Sequence, residues 1–451
     1  MTKSLGHTWP PALRLRALVL ISALLGGLWA SPAAAVPAFA AQTGQPCQAC
    51  HVGGFGPQLT PFGRSFKLHG YTARSGGFTT PFAAMAVASY LRTAKAQPPA
   101  DGFKANDNVA LDQVSLFFAG GLGSHLGAFV QTTYDGIAKA WAWDNVDLRA
   151  TTDVQVHDAD VLLGLSLNNS PTNQDVWNTL PAWGFPYTGS GLAPSPAAAP
   201  LLSGALAQTS LGLTGYAWIN STYYVEAGAY GSPSSRNLTH LGADPFAPGD
   251  IHGLAPYGRI AVQNSLGGAT VQAGLFGMRA DIYPERDRSA GATDRYSDLG
   301  LDVSYQRTLD NSDVFSLNGR VLRETQTLAA SQALGLSDNS RNTLTDLRAD
   351  ASYYLRNRYG VTLQAFDTWG STDPVLYTGR TGKPDSSGLS LQLDGTLFGG
   401  ADSPMGPRFN MRAGVQYTMY DRFDGARSNY DGAGGRASDN NTLRVFTWFA
   451  Y

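Results

Sequence analysis

The stretch DLRADASYYLR, residues 346–356, alternates between polar and apolar side chains over most of its length. Its leucines, alanines and first tyrosine fall on one face of an extended chain, and its aspartates, first arginine and serine fall on the other. A period of two predicts a β-strand. GLSLQLDGTLF (388–398) and RFNMRAGVQYTMY (408–420) repeat the pattern. The polar face must meet water, which surrounds a soluble β-sandwich but fills the lumen of a membrane barrel whose apolar face meets lipid.

Repetition of this pattern from about residue 80 onward predicts an all-β chain. The predicted strands lie near 80–93, 108–120, 123–134, 140–151, 160–168, 211–220, 222–231, 255–264, 269–279, 295–307, 313–325, 343–356, 359–370, 387–399, 408–420 and 441–451. We therefore expect a transmembrane antiparallel β-barrel of about 16 strands, with a soluble β-protein as the alternative.

The predicted connections alternate in length, which favours the barrel. Those after odd-numbered strands are mostly long, as at 169–210 and 421–440, although the one at 135–139 is short. Those after even-numbered strands are mostly short, such as RNR at 356–358, although the turns at 152–159 and 400–407 are longer. Large external loops and small periplasmic turns are typical of outer-membrane barrels.

The first 35 residues predict a secretory signal peptide, which is removed on export. Basic residues up to Arg16 precede the apolar run ALVLISALLGGLWA (17–30), and small residues follow up to Ala35. A transmembrane anchor is the alternative, although about 14 apolar residues fall short of the ~20 that span a bilayer. The net charge of −2 gives no indication of a nucleic-acid partner. The last strand ends on an aromatic residue, Tyr451, and resembles the C-terminal insertion signal of bacterial outer-membrane proteins.

The two cysteines of the chain, Cys47 and Cys50, lie directly before His51 in the sequence CQACH. Cys-x-x-Cys-His is the attachment motif of c-type haem. The two thiols bond to the haem vinyl groups, and the imidazole is one axial ligand of the iron. A disulfide or a chance match is the alternative, although so short a disulfide loop stabilises little. The motif therefore predicts one covalently bound haem c, held by Cys47, Cys50 and His51.

The region around the motif is too short to bury a haem alone. Chains of this length rarely form an independent core, whereas a large barrel has a lumen wide enough to be plugged. We therefore expect a signal peptide at 1–35, a monohaem cytochrome c-like plug segment at 36–79 that folds into the lumen from the periplasmic mouth, and an outer-membrane barrel at 80–451.

The motif and its surroundings resemble the fused monohaem cytochrome–porin proteins of the bacterial outer membrane, members of which oxidise ferrous iron at the cell surface. The resemblance rests on PAFAAQTGQPCQACH (37–51), PQLTPFGRSFKLHGY (57–71) and, more loosely, NSPTNQDVWNTLPAWGFPY (169–187). The chain departs from that family at VGGFG (52–56), where a more apolar run is expected. The resemblance implies an iron-oxidising electron conduit. It would take electrons from extracellular Fe(II) or another donor and pass them to a periplasmic cytochrome or copper protein.

The sequence leaves the second axial ligand of the haem open. Met85, early in the first strand, and His69, 18 residues past the motif histidine, are the named candidates, and another residue or water is the alternative to both. The ordinary alternatives are packing for a strand methionine and solvation for a loop histidine. Asp281, Glu285 and Asp287, in the predicted loop after strand nine, are candidates to attract Fe(II), with solvated surface charges as the alternative.

Two other functions stay open on the sequence alone. A haem that only stabilises the plug would leave a passive or gated channel. A donor other than iron would make the protein an electron conduit of a different specificity.

Overall fold

The computed structural model of the protein describes residues 37–77, 79–399 and 409–451. The predicted signal peptide and the predicted turn at 400–407 lie outside these ranges. In the described part of the chain, sixteen long strands form one sheet. They are β1 (Phe82–Thr93), β2 (Asn108–Gly121), β3 (Leu126–Asp135), β4 (Ala140–Val156), β5 (Ala159–Asn168), β6 (Leu211–Ile219), β7 (Tyr223–Gly231), β8 (Ala255–Leu266), β9 (Ala269–Tyr283), β10 (Asp294–Thr308), β11 (Val314–Thr327), β12 (Arg341–Leu355), β13 (Tyr359–Gly370), β14 (Ser386–Thr396), β15 (Asn410–Arg422) and β16 (Thr442–Ala450).

The sheet closes on itself. Each strand pairs antiparallel with the next along the chain, and β1 pairs with β16 as well as β2, with Met85 opposite Ala450. A closed ring satisfies the backbone hydrogen bonds of its strands without water, as a bilayer requires. A further strand of two residues, Asp250–Ile251, pairs with the end of β9 and was not predicted.

Burial along the strands is inverted relative to a soluble protein. On β14, Leu389 and Leu393 are exposed, whereas the alternate residues Ser390, Gln392 and Asp394 are buried. The apolar face therefore points outward and the polar face points into the barrel, which is the arrangement of an outer-membrane barrel. The barrel prediction is confirmed, and the soluble alternative is wrong.

Several strands extend further than predicted. The predicted turn at 152–159 is a tight connection, because β4 runs to Val156 and pairs there with Ala159 of β5. Likewise β9 continues to Tyr283, four residues past its predicted end at 279. The extension of β4 carries the exposed polar residues Asp153 and Gln155, so its composition resembles that of a turn, whereas in the extension of β9 Ala280 and Ile282 are buried.

Short helices lie before the barrel and in its loops. The α-helices are α1 (Pro37–Thr43), α2 (Cys47–Cys50), α3 (Pro61–Leu68), α4 (Ser235–His240) and α5 (Ala329–Ala333). The 3₁₀ turns are Val52–Gly54, Pro181–Trp183, Leu201–Ser203, Pro284–Arg286 and Ala437–Asn440. Within the described ranges, no helix has both the length and the apolar character needed to cross a bilayer.

Candidate functional site

Residues 37–77, hereafter the N-terminal segment, lie against the inward-facing side chains of strands from around the ring. The partners belong to β4, β6, β10 and β15. The hydrogen bonds join Tyr71 to Asp147 (2.7 Å), the Leu68 carbonyl to Tyr216 (2.5 Å), Arg64 to Gln306 (3.1 Å) and the Phe55 carbonyl to Arg412 (2.6 Å). Since these strands surround the lumen, the segment contacts the barrel from within.

The turn between β12 and β13 fixes the haem-attachment motif. Asn357 in this turn accepts a hydrogen bond from the Gly53 amide at 2.7 Å and donates to the carbonyls of Gln48 and His51 at 3.0 Å each. This turn is one of the short connections, so the motif lies near the short-turn end of the barrel. In outer-membrane barrels that end faces the periplasm.

Helix α3 packs directly on the motif. Thr60 caps this helix by accepting from the Gly63 amide at 3.2 Å, and its hydroxyl also donates to the Ala49 carbonyl at 2.5 Å. A Cβ on Gly63 would lie 2.2 Å from the Cys50 carbonyl oxygen. Glycine is therefore required where the helix crosses the motif.

A cavity of about 370 Å³ opens beside the motif, inside the barrel. Its walls come from three parts of the chain. The N-terminal segment contributes Phe39, Cys47, Cys50, His51, Phe55, Phe66 and Lys67. The strands contribute Met85, Gln113, Phe117, Phe129, Gln131, Asp144, Asn145 and Trp448. The loop after β5 contributes Asp175, Asn178, Trp183 and Tyr187. The cavity is mainly apolar, with many aromatic side chains in its walls, and it extends from the short-turn end toward the half of the barrel with the long loops.

The chemistry of the motif side chains fits covalent haem attachment. Burial raises the pKa of Cys47 to about 11 and that of Cys50 to about 12, so both thiols are protonated at neutral pH. Asn410 donates to the Cys47 sulfur at 3.3 Å. Burial lowers the pKa of His51 to about 4, which keeps its imidazole neutral, the form that ligates iron. Two thiols and a neutral imidazole on one aromatic-lined cavity form a donor set that can hold a c-type haem.

The structure brings one of the two candidate second ligands to this cavity. Met85 is buried and lines the cavity together with His51. His69 does not line it; its Nδ1 lies 2.7 Å from the Ser65 carbonyl oxygen, and its ring is partly exposed near Asp153. The arrangement therefore favours Met85.

The glycine-containing stretch 52–56 lines part of the cavity and packs against side chains of the barrel. Phe55 lines the cavity and packs on Trp448 of β16 with ring centroids 4.6 Å apart. Gly53 has a φ of 74°, and its Cα approaches the buried ring of Tyr354 so closely that a Cβ would lie 2.7 Å from it. The barrel thus supplies the apolar contacts that a longer apolar run would otherwise provide.

The loop after β5 holds cavity residues that sequence reasoning did not assign. Asn178 accepts from the Leu59 amide and donates to the Pro57 carbonyl, both at 3.0 Å. Trp183 packs over the Lys67 ammonium, 4.5 Å from ring centre to Nζ. Burial and the nearby Arg149 lower the pKa of Lys67 to about 7. The resemblance in 169–187 was the only signal for this loop, because its partners in the N-terminal segment are more than 100 residues away in sequence.

The acidic residues predicted to attract iron do not form a cluster. Asp281 pairs with Arg295 at 2.8 Å, and Asp287 accepts from the Ser289 amide at 2.7 Å. Glu285 lies in a 3₁₀ turn. In the described parts of the chain, no group of three or more His, Cys, Asp or Glu side chains could hold a bare metal ion.

Several solved structures of outer-membrane proteins resemble the barrel. An anion-selective porin from Comamonas acidovorans shares 14% identity at a TM-score of 0.45, over 82% of this chain and 98% of that one. The outer membrane channel DcaP of Acinetobacter baumannii shares 11% at 0.45, over 82% and 96%. OmpT, an outer membrane protein of Vibrio cholerae, shares 11% at 0.43, over 82% and 96%. Likeness this distant carries no argument about function. Neither a protein-family model nor a curated protein matches the chain.

Proposed function

We propose that the protein is a cytochrome of the bacterial outer membrane that takes single electrons from extracellular Fe(II) and passes them to a periplasmic carrier. One observation carries the proposal. The sequence CQACH, a haem-attachment motif, faces an aromatic cavity inside a barrel, and a methionine from the first strand lines the same cavity. A haem c bound there would supply a one-electron Fe(III)/Fe(II) couple.

The residues of the chain have distinct parts in this proposal. Cys47 and Cys50 would hold the haem covalently, and the neutral imidazole of His51 would ligate its iron. Met85 is the proposed second ligand, and a thioether raises the reduction potential. A high potential suits a cofactor that must accept an electron from Fe(II). The aromatic walls exclude water, which also tunes the potential.

The position of the motif supports a direction of transfer. The motif lies near the short-turn end, whereas the cavity extends toward the long-loop half of the barrel. An electron would enter from the extracellular side and would pass to a carrier that docks at the periplasmic mouth. Oxidation within the barrel would keep the insoluble ferric product out of the cell.

A channel is the second candidate, because the closed barrel has a polar interior. Against free diffusion, the N-terminal segment and the loop after β5 both occupy that interior, and Asn178 joins them by two hydrogen bonds. A gated channel would require these contacts to break.

One experiment separates the two functions. Purified, oxidised protein is mixed with Fe(II) in a stopped-flow instrument while the haem absorbance is followed, and a double variant C47A/C50A is the control. Rapid haem reduction in the wild type supports the conduit. Steady ion conductance in planar bilayers, with no haem reduction by Fe(II), supports the channel and contradicts the proposal.

A further inference from the structure

Lys67 places a buried cation on the wall of the cavity. It lies near the end of helix α3, and its side chain is 7% exposed. Its Nζ donates to the carbonyls of Asn173 at 2.6 Å and Asp175 at 2.8 Å. An ammonium group has three N–H donors. The two carbonyls thus leave one donor without a hydrogen bond to a described residue, and Lys67 lines the cavity.

This cation has no carboxylate partner among the described residues. Arg149 and Arg444, two other buried cations of the lumen, do have one: Arg149 lies 2.8 Å from Asp147, and Arg444 lies 2.7 Å from Asp112. The acceptors of Lys67 are neutral carbonyls and the ring of Trp183. Burying a charge is costly unless it is paired.

The side-chain carboxylate of Asp175, whose backbone carbonyl accepts from Lys67, is committed elsewhere. Asp175 pairs with Arg259 at 2.9 Å and accepts the backbone amides of Trp177, Thr179 and Leu180 at 3.0 to 3.1 Å. Its charge is therefore already matched by one guanidinium and three amide dipoles. No carboxylate among the described residues lies within ion-pair distance of Lys67, so the charge that it carries when protonated is left for an anion in the cavity.

We propose that Lys67 pairs with a propionate carboxylate of the haem. This inference rests on the proposed function. A haem tethered through its vinyl groups still carries two propionates, which are anions. The cavity is also lined by the amide residues Asn145, Asn178 and Gln131, and Phe117, Met85 and Trp448 give it apolar walls. Lys67 is thus a positioning residue: it orients the ring, and its charge favours the reduced haem.

Arg64 offers a matched control on the same helix. It is also buried without a carboxylate partner, and its guanidinium donates to Gln306 and the Leu59 carbonyl. Unlike Lys67, it does not line the cavity. Removing Arg64 therefore removes a buried charge from α3 without removing a cavity contact.

The test uses the full-length haem-bearing protein and the variants K67M, K67Q and R64Q. Resonance Raman spectra report the propionate bending bands, and a redox titration reports the reduction potential. We expect both Lys67 variants to shift the propionate bands and lower the potential, and R64Q to leave the bands in place. Unshifted bands in K67M or K67Q overturn the inference, as does an equal shift in R64Q.

If neither neutral variant incorporates haem, K67R decides the matter, because it retains the charge. Wild-type-like bands and potential in K67R support the pairing, and the bands of unpaired propionates overturn it. A wild-type protein without haem contradicts the proposed function itself. If the wild type binds haem but the propionate bands are unchanged in the Lys67 variants, only this inference is contradicted.

Discussion

The side-chain amide of Asn357 donates to the carbonyl oxygen of His51 at 3.0 Å, although 306 residues separate the two. The same side chain also bonds to Gln48 and Gly53. The conformation of the haem-attachment motif is therefore fixed by a turn of the barrel as much as by the segment that contains it. A peptide of residues 37–77 alone would lack this support.

Replacing Asn357 by alanine should loosen the N-terminal segment. The change removes three hydrogen bonds and leaves buried backbone groups unsatisfied, at about 1–3 kcal/mol for each group that water does not reach. Limited proteolysis in detergent should then cleave the segment faster, while the barrel itself stays resistant. Asn220 is the matched control, because it accepts from the Asp160 amide in another short turn, away from the segment. Equal cleavage of N357A and N220A would show that this turn has no special role.

Replacing Gly53 by alanine should destabilise the same region. The residue has a φ of 74°, and its Cβ would lie 2.7 Å from the Tyr354 ring. Strain of this kind costs at least about 1 kcal/mol. Gly76 has open space around it and serves as the control. The readout is the urea concentration at which half of the protein has lost the segment's contacts, as monitored by tryptophan fluorescence. No difference between G53A and G76A would contradict the packing described above.

Met85→Leu tests the second axial ligand. Loss of a thioether ligand lowers the haem potential, so the variant should titrate at lower potential. It should also lose the absorption band that thioether ligation gives ferric haem. Met278→Leu is the control, because this methionine is also buried in the barrel but lies in a different cluster, on β9. An unchanged spectrum and potential in M85L would exclude Met85 as a ligand.

Asp373 should make the outer loops sensitive to acid. Burial alone would raise the pKa of this carboxyl, but hydrogen bonds from Ser337 and Asn342 and from backbone amides outweigh burial and hold the pKa below its ordinary value. A lowered folded-state pKa contributes stability above the unfolded pKa of about 3.9, and that contribution is lost as the pH falls through the folded-state value.

D373N should therefore unfold its loops more readily than the wild type at pH 7, and the difference should shrink below about pH 4. Proteolysis of the loop that contains Ser337 and Asp338, measured across this pH range, checks the expectation. A difference between the two proteins that grows on acidification would contradict the assignment.

The barrel was predictable because its pattern is local. Alternation in stretches such as 346–356 is imposed by lipid on one side and water on the other, so each strand shows it independently of its neighbours. The prediction weakened at β1, where FAAMAV is apolar on both faces. The structure explains this: Ala83, Met85 and Val87 are buried inside, against the apolar parts of the cavity and its surroundings.

The walls of the cavity were not predictable, because they depend on contacts between distant parts of the chain. Lys67 and Trp183 meet across 116 residues, and nothing in either local sequence indicates the other. The choice between Met85 and His69 was open for the same reason. The Cys-x-x-Cys-His motif could be recognised from the sequence because Cys47, Cys50 and His51 all lie within one stretch of five residues.

The central claim is that Cys47 and Cys50 hold one haem within the lumen of a membrane barrel. The most direct measurement is to export the wild type and C47A/C50A in cells with an active haem-ligation system, extract both with detergent, and determine intact mass and visible spectrum. We predict a wild type that carries one covalent haem per chain and a double variant that folds as a barrel but is colourless. A colourless wild-type barrel, or a haem protein that is soluble without detergent, would contradict the account.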